Sequence, residues 1–465
     1  MNPNDTSINT SIDTSIDNSI DATELARRCR ADGEFAMAAR HWNGGFRFEI
    51  GDRQLSLDIR DGMVSAAANP APAAARTAPA MVVLSGADAV WDALLAPKPA
   101  PGYVDIASAQ RRGLSRAGDE LTYWQYLPAL QRAVELLRPT ESTRAESTPA
   151  ESSESTSNPR RTESTSNRAI PGSRSAAFDS PVGRYVHLEL GGYDHRIYFE
   201  EAGQGIPLLL QHTAGSHGTQ WRHLFEYPEI TDHFRLIAYD LPFHGKSVPP
   251  VGDQWWTRRY QLTGPFLRSV PVGLAAALQL DRPVFMGCSV GGLLALDLAL
   301  HHPDVFRAVI SLEGALRVGG DLDALIGFWH PGVSNETKAR MMEGLIAPDS
   351  PMAYRKETAQ TYAAGWPAAF LGDLNYYCVD YDLRERAAEI DTSKVAVHIL
   401  NGTYDYSATP AHGRDAAAAI TGATFTEMEG MGHFPMSEDP ERFVTYLLPV
   451  LAQLRGEVQA PKPPL

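Results

Sequence analysis

Cysteine, long apolar runs and excess positive charge are all scarce in this sequence. Its 465 residues include three cysteines, too few and too scattered for a disulfide framework or a cysteine-based zinc site. No apolar stretch is long enough to span a bilayer, and the first twenty residues contain neither Lys nor Arg. With 41 Lys and Arg against 56 Asp and Glu, the net charge is −15, which argues against binding to nucleic-acid phosphates or anionic membranes. We therefore expect a soluble cytoplasmic protein with no nucleic-acid partner and no stable membrane insertion.

Composition divides the chain into four segments. The length indicates two or three domains. Residues 139–168 form the clearest boundary, because 14 of those 30 residues are Ser or Thr and the stretch has almost nothing to bury. The opening repeat of T-S-I-[DN] has the same character. We predict a disordered tail over residues 1–23, a small domain over 24–138, a linker over 139–180 and a large domain over 181–457.

Alternating apolar and polar residues mark the beginning of the small domain. Residues 46–50 alternate before a Gly-Asp turn and residues 55–59 alternate before an Asp-Gly turn, a pattern typical of an antiparallel meander. A further apolar run at 81–84 and helical patterns at 90–95 and 119–138 follow. These elements predict a small α+β domain.

The order of these elements resembles the sterol carrier protein 2-like lipid-binding domain across about residues 24–138. The resemblance is carried by the WNGGFRFEI opening, the LDIRDGMV turn, the LSGADAVWDALLAPKPAPGY segment and the closing helix. It implies a sheet and helices that enclose an apolar tunnel for acyl chains or sterols. The alternative interpretation is that the aromatic residues of this segment fill an ordinary core or a dimer interface. These residues are Trp91, Tyr123, Trp124 and Tyr126.

From residue 186 onward, predicted strands alternate with predicted helices. This order indicates an α/β domain with a mostly parallel sheet. The eight strand candidates are Val186–Leu190, Ile197–Glu201, Pro207–Gln211, Arg235–Tyr239, Pro283–Met286, Ala308–Leu312, Val395–Leu400 and Thr424–Glu427.

A G-x-S-x-G motif occupies residues 287–291, between the apolar strand PVFM and the helical run GGLLALDLAL. A strand-to-helix turn this tight forces its serine, Ser289, into a strained conformation, and the small residues around it let neighbouring backbone pass close by. The hydroxyl then lies at a helix N-terminus, whose dipole favours a developing negative charge. We predict that Ser289 is a nucleophile.

A serine nucleophile needs a general base, and the base needs a carboxylate that orients it. Asp405 follows the predicted strand VAVHIL, and His433 lies in a Gly-flanked loop after the last predicted strand, so both come in the order Ser, Asp, His. Loops at the carboxyl ends of strands are where an α/β sheet builds its site. We predict the triad Ser289, Asp405 and His433, with Glu313 as a rival acid after the strand that ends at Leu312.

With these residues in place, the segment from about 184 to 455 resembles the α/β-hydrolase fold family. LLLQHTAGS at 208–216 and RLIAYDLPFHGKS at 235–247 carry the rest of the resemblance. It implies an eight-stranded sheet with a helical lid, and an oxyanion hole built from the backbone N–H groups of Ala214 and Val290. Because Thr213 replaces the usual glycine of that loop, the first donor is uncertain by one residue. His212 and His244 are predicted to organise loops.

About 80 residues separate Leu312 from Ala396, too many for a simple connection. They predict a mainly helical lid over about residues 316–390, whose aromatic side chains either form an apolar pocket or hold the lid's own core. The candidates are Phe328, Trp329, Tyr362, Trp366, Phe370, Tyr376 and Tyr377. No dinucleotide, Walker or H-E-x-x-H motif occurs, so no cofactor and no metal are predicted.

Three functions remain as hypotheses. The first is a serine hydrolase that cleaves carboxylic esters of apolar or aromatic small molecules through an acyl-enzyme. The second keeps the triad but hydrolyses a carbon–carbon bond in a vinylogous diketone, such as an aromatic ring-cleavage product. The third is a lipid-binding or scaffolding protein with a residual hydrolase domain. In the first two, the small domain either delivers lipophilic substrate across the linker or mediates homodimerisation.

Overall fold

The computed structural model describes residues 20–67, 81–139 and 178–456, which form a small N-terminal domain and a large C-terminal domain. Most of the predicted tail and almost all of the predicted linker lie outside these residues. Within the described part of the chain, no helix is both long and apolar enough to cross a bilayer.

The N-terminal domain is an α+β unit, as predicted. Its strands are β1 (Gly44–Ile50), β2 (Arg53–Arg60), β3 (Met63–Ala66), β4 (Met81–Gly86) and β5 (Ser115–Gly118). Its helices are α1 (Ala22–Ala31), α2 (Gly33–Ala38), α3 (Asp88–Leu95), α4 (Ile106–Gln110) and α5 (Glu120–Leu137). The sheet order is β3-β2-β1-β4-β5, in which the meander β1-β2-β3 is antiparallel and β1 pairs parallel with β4.

The predicted tail of residues 1–23 extends too far, because residues 20–23 belong to the N-terminal domain. Helix α1 begins at Ala22, because the Asp21 side chain caps it by accepting a hydrogen bond from the Glu24 N–H at 2.8 Å. Ile20, just before the cap, is already buried. Ile20 and Asp21 therefore belong to the domain, one as a core residue and the other as a helix cap.

The C-terminal domain contains the predicted eight-stranded, mostly parallel sheet. Its strands are β6 (Val182–Leu190), β7 (Tyr193–Ala202), β8 (Ile206–Gln211), β9 (Phe234–Tyr239), β10 (Val284–Cys288), β11 (Ala308–Leu312), β12 (Ala396–Gly402) and β13 (Thr424–Met428). The order is β13-β12-β11-β10-β8-β9-β7-β6, and only pairings that involve β6 and β7 are antiparallel. The central strands are buried on both faces, which explains why their sequences read as continuous apolar runs.

Helices cover both faces of this sheet, and a further group forms the lid. The helices outside the lid are α6 (Pro228–Thr231), α7 (Gly264–Ala277), α8 (Val290–His301), α12 (Pro410–Ala419), α13 (Pro435–Glu438) and α14 (Pro440–Leu454), with 3-10 turns at Gly218–Glu226 and Trp255–Thr257. The lid contains α9 (Asn335–Glu343), α10 (Met352–Ala364) and α11 (Pro367–Asn375), flanked by a 3-10 turn at Asp323–Trp329 and a π-helix at Tyr376–Asp380, and a last 3-10 turn follows at Ala387–Glu389. The lid therefore spans the predicted region.

The N-terminal domain packs directly on the lid. The Trp124 ring on α5 lies 4.8 Å from the Phe328 ring, centroid to centroid, and the Thr337 hydroxyl donates to the Trp124 carbonyl at 2.8 Å. Arg340 of α9, whose side chain is 11% exposed, forms an ion pair with Glu135 of α5. Apolar residues of the N-terminal domain, the lid and one face of the large sheet consequently form a single continuous core.

Candidate active site

Ser289 occupies the sharp turn between β10 and α8. Its φ of 60° and ψ of −113° lie in a strained region for a residue with a side chain, as the motif predicts. Small residues make the turn possible: a Cβ on Gly287 would lie 2.5 Å from the Gly291 carbonyl oxygen, and a Cβ on Gly292 would lie 2.2 Å from the Leu312 oxygen. Backbone passes too close at both positions for any larger residue.

Asp405 and His433 meet at the carboxyl ends of β12 and β13. The His433 Nδ1 lies 2.6 Å from Asp405 Oδ2, and both side chains are buried. The second oxygen of Asp405 accepts the Ser407 N–H at 2.7 Å. Burial opposes ionisation of Asp405, but His433 and the hydrogen bonds outweigh it and hold the pKa of this carboxyl below its ordinary value. The structure thus pairs His433 with an ionised Asp405.

Glu313, the rival acid, lies beside Asp405. Its carboxylate accepts the Gly402 N–H at 2.9 and 3.0 Å, and its own backbone has a positive φ of 50°. Burial, reinforced by the Asp405 charge, raises the pKa of Glu313 well above its ordinary value. Two buried carboxyl groups this close do not both ionise, and the raised pKa of Glu313 favours its protonated form beside an ionised Asp405.

A second buried acid supports the histidine loop. Glu438 accepts the N–H groups of Gly432 and Phe434, which flank His433, at 2.5 and 3.1 Å. The same carboxyl lies 3.4 Å from the Ala347 nitrogen of the lid. Glu438 therefore links the loop that carries His433 to the lid.

The loop after β8 offers one unoccupied backbone donor near Ser289. The Thr213 N–H donates to Gln220 at 3.1 Å and the Gly215 N–H donates to Asp373 at 2.8 Å. Between them, the Ala214 N–H has no acceptor among the described residues, and Ala214 lines the same cavity as Ser289. The Val290 N–H, at the first position of α8, is likewise without an acceptor in the described part of the chain.

His212 and His244 are engaged in contacts within the loops. The Leu241 N–H donates to His212 Nε2 at 3.0 Å, and burial together with His244 keeps the pKa of His212 well below its ordinary value. His244 Nε2 lies 2.8 Å from Asp373 on α11, and although burial opposes it, this carboxylate raises the pKa of His244. Asp373 therefore connects both loops to the lid.

A cavity of about 650 Å³ contains Ser289 and His433 in its wall. Of the predicted lid aromatics, Tyr362, Phe370 and Tyr377 line it. The others lie elsewhere: Phe328 is wedged between Trp124 and Phe370, Trp366 packs on Trp255, the Tyr376 hydroxyl bonds Asp297, and Trp329 is partly exposed. Both interpretations of these residues are therefore correct for part of the set.

Two further groups in the cavity wall were not predicted from the residue pattern. The Tyr377 hydroxyl, whose role beyond that of an apolar wall was not predicted, lies 3.0 Å from the Ser407 hydroxyl. Residues of the N-terminal domain line the cavity as well: Ala107, Gln110, Arg111, Arg116, Tyr123 and Trp124. Tyr123 and Trp124, predicted to fill a core or a dimer interface, are buried in the core and also line this cavity.

Cys288, the residue before Ser289, is engaged with backbone. The Cys288 thiol points to the His433 carbonyl at 3.1 Å, and burial raises the pKa of the thiol well above its ordinary value. Among residues 20–67, 81–139 and 178–456, no group of three or more His, Cys, Asp or Glu side chains is arranged to hold a metal ion.

The alpha/beta hydrolase family model matches residues 208–445, just over half of the 465 residues, so the chain belongs to that family. This match includes the elbow, the acid and the histidine. It leaves residues 20–139 unassigned, and the resemblance of the N-terminal domain to sterol carrier protein 2-like domains stays a prediction.

The chain is also similar to three curated relatives and to one solved structure. An uncharacterised protein of Mycobacterium tuberculosis is 26% identical over 54% of this chain and 77% of its own length. The pimeloyl-[acyl-carrier protein] methyl ester esterase of Vibrio cholerae is 25% identical over 32% of this chain. The 2-hydroxy-6-oxo-2,4-heptadienoate hydrolase of Pseudomonas putida is 30% identical over 34% of this chain. These last two matches span 51% and 55% of the relatives' own lengths. A hydrolase from Pseudomonas aeruginosa aligns with a TM-score of 0.51 at 22% identity, covering 58% of this chain and 98% of that one, which shows a shared fold.

Proposed function

We propose that this protein is a serine hydrolase that cleaves carboxylic esters of apolar or aromatic small molecules through an acyl-enzyme. The observation that carries the proposal is the 2.6 Å contact between His433 and an ionised Asp405, in a cavity that also contains Ser289 on its strained turn. This arrangement supplies a nucleophile, a base and an orienting carboxylate in one place.

The proposed reaction has two steps. The Ser289 Oγ attacks the acyl carbon while His433 takes its proton, and the same proton then passes to the leaving alcohol as the ester C–O bond breaks. Water, deprotonated by His433, attacks the acyl-enzyme and releases the carboxylic acid and free Ser289. The N–H groups of Ala214 and Val290, which are without acceptors in the described chain, are the proposed donors to the oxyanion in both steps.

The composition of the cavity favours an apolar acyl or aryl group. Tyr362, Phe370 and Leu374 of the lid line it, and so does Trp124 of the N-terminal domain. The sterol carrier resemblance of that domain extends the proposal to lipophilic esters. An ester hydrolase of this kind is consistent with the esterase of Vibrio cholerae among the relatives.

The test uses p-nitrophenyl esters graded from acetate to palmitate with the wild type and Ser289→Ala. We expect kcat to fall by at least about 10³-fold, because removal of a nucleophile costs orders of magnitude. Ser393→Ala, at an exposed serine outside the cavity, controls for the substitution itself. A loss of less than tenfold in Ser289→Ala contradicts the proposal. A fluorophosphonate that fails to label the wild type favours the lipid-binding or scaffolding alternative instead.

Hydrolysis of a carbon–carbon bond in a diketone is the second candidate. It is favoured by the 30% identity to the 2-hydroxy-6-oxo-2,4-heptadienoate hydrolase of Pseudomonas putida, whose substrate name contains an oxo group and no ester. A ring-cleavage diketone tested beside one bulky aryl ester separates the candidates. Ser289-dependent turnover of the diketone with inert esters would replace the first proposal by the second.

A further inference from the structure

The N-terminal domain contributes part of the wall around the catalytic cavity. Tyr123 and Trp124, consecutive residues on α5, line it together with Ser289 and His433 and are only 2% and 6% exposed. Arg111, which follows α4, also lines the cavity but is exposed, which places it at the cavity mouth. A substrate in this cavity therefore contacts two domains.

The position of this wall is fixed by close contacts with the lid. The Trp124 indole lies so near Gly327 that a Cβ there would approach Trp124 Nε1 to 2.3 Å. The Gln125 side-chain amide donates to the Gly332 carbonyl at 3.0 Å, and Asp105 packs against Gly344 with no room for a larger residue. The N-terminal domain is thus a fixed part of the site in this structure, and not only a module tethered by a linker.

Two guanidinium groups face the cavity from this domain, and their surroundings differ. Arg116 lies 4.2 Å from the Tyr123 ring centroid and forms an ion pair with Glu120 at 3.3 Å. Arg111 lies 5.4 Å from the Tyr406 ring centroid and has no acidic partner among the described residues. A guanidinium on an aromatic face, with its N–H groups free, is a site that binds carboxylates through two parallel hydrogen bonds.

The acidic side chain in the same wall does not neutralise Arg111 through an ion pair. Asp321 lines the cavity, but its carboxylate accepts the Asp323 N–H at 3.0 Å at the beginning of a lid turn. The aromatic lining and a guanidinium that forms no ion pair within the described chain together match a molecule with an apolar body and one negative charge.

We infer that Arg111 is a specificity-determining residue that binds a carboxylate on the substrate while Ser289 attacks the ester carbonyl. The substrate class is then an ester that also carries a free carboxylate, on its acyl or its alcohol side. This inference rests on the proposed function, because it places the charge recognition in the same cavity as the proposed triad.

Matched pairs of esters test the inference with the full chain. p-Nitrophenyl butyrate and p-nitrophenyl hemisuccinate differ by a carboxylate on the acyl side, while phenyl acetate and 4-acetoxybenzoate differ by a carboxylate on the alcohol side. The measured quantity is the ratio of kcat/KM for the charged ester to that for its neutral partner. In Arg111→Gln we expect this ratio to fall about 10- to 100-fold in at least one pair, as for the loss of a charge-assisted hydrogen bond, and further in Arg111→Glu.

Arg112→Gln is the matched control, because Arg112 is an exposed neighbour that does not line the cavity. Its ratio is expected to equal that of the wild type. Ratios in Arg111→Gln that match those of Arg112→Gln in both pairs would overturn the inference and leave the proposed function intact. If no ester of either pair shows Ser289-dependent turnover, the proposed function fails, and the inference fails with it.

Discussion

Because the carboxyl group of Glu438 is buried, we predict that the free energy of unfolding depends on pH. Substitution of Glu438 should remove this dependence. The carboxyl group accepts backbone N–H groups on either side of His433 and is fully buried. Burial raises its pKa from 4.5 to about 7, and the hydrogen bonds offset only part of this effect. The folded protein therefore holds the Glu438 proton more tightly than the unfolded chain does.

The sign and size of the effect follow from linkage. Because the pKa is higher in the folded state, the contribution to stability is complete below about pH 4.5 and is lost as the pH rises through 7. The full rise in pKa corresponds to about 3 kcal/mol, since one pKa unit is equivalent to about 1.4 kcal/mol. Between pH 5 and 8, the loss amounts to about 2.5 kcal/mol.

The assay compares the free energy of unfolding in urea for the wild type and Glu438→Gln at several pH values from 5 to 8. Gln keeps the size of the side chain but does not titrate, so the wild type should lose about 2.5 kcal/mol more than the variant over this range. Glu429→Gln, at an exposed glutamate of the same loop region, should follow the wild type. A difference in stability between wild type and Glu438→Gln at any one pH is compatible with the reasoning, provided that the difference changes with pH. Parallel profiles, with no difference in slope, would refute it.

Two further predictions concern the acid pair and the elbow. Asp405→Asn should lower kcat about 10³- to 10⁴-fold, because the histidine loses its orienting charge. The kcat of Glu313→Gln should stay within about tenfold of the wild type, because a neutral amide resembles the protonated acid. Equal losses of ester turnover in the two variants would contradict the assignment. Gly287→Ala should cost about 1–3 kcal/mol in urea denaturation, because its Cβ would lie 2.5 Å from backbone. Gly33→Ala, which meets nothing within 4 Å, should be close to neutral, and a similar cost at both glycines would refute the close-packing argument.

Local patterns predicted the large sheet well. All eight strand candidates are strands. The central ones were readily predicted because buried parallel strands are short apolar runs separated by helices. The order of Ser, Asp and His in the sequence also led to Ser289, Asp405 and His433. In the structure Asp405 contacts His433, and Ser289 and His433 both line the cavity. In each case the signal lies within a few residues of the chain.

Packing between distant segments was beyond the same patterns. Trp124 has the pattern of an ordinary buried aromatic on an amphipathic helix, and only the folded structure shows that it packs on Gly327 and lines the cavity that contains Ser289. The protonation of Glu313 is similar, since it depends on burial beside Asp405 and not on neighbours in sequence. Both features arise from packing between elements that are far apart in the chain. A single sequence does not show which distant residues will be in contact.

The docking also decides which perturbations of the N-terminal domain are informative. Contacts run without interruption from Trp124 to Phe328 of the lid, and from the lid through Ala347 and Glu438 to the loop that carries His433. Deletion of the N-terminal domain would expose Phe328, now 3% exposed, and remove the support of the lid. A rise in KM after such a deletion would therefore report damage to the lid as readily as loss of substrate delivery. Substitution of exposed Arg111, which makes no ion pair within the described chain, leaves these contacts in place and separates recognition from support.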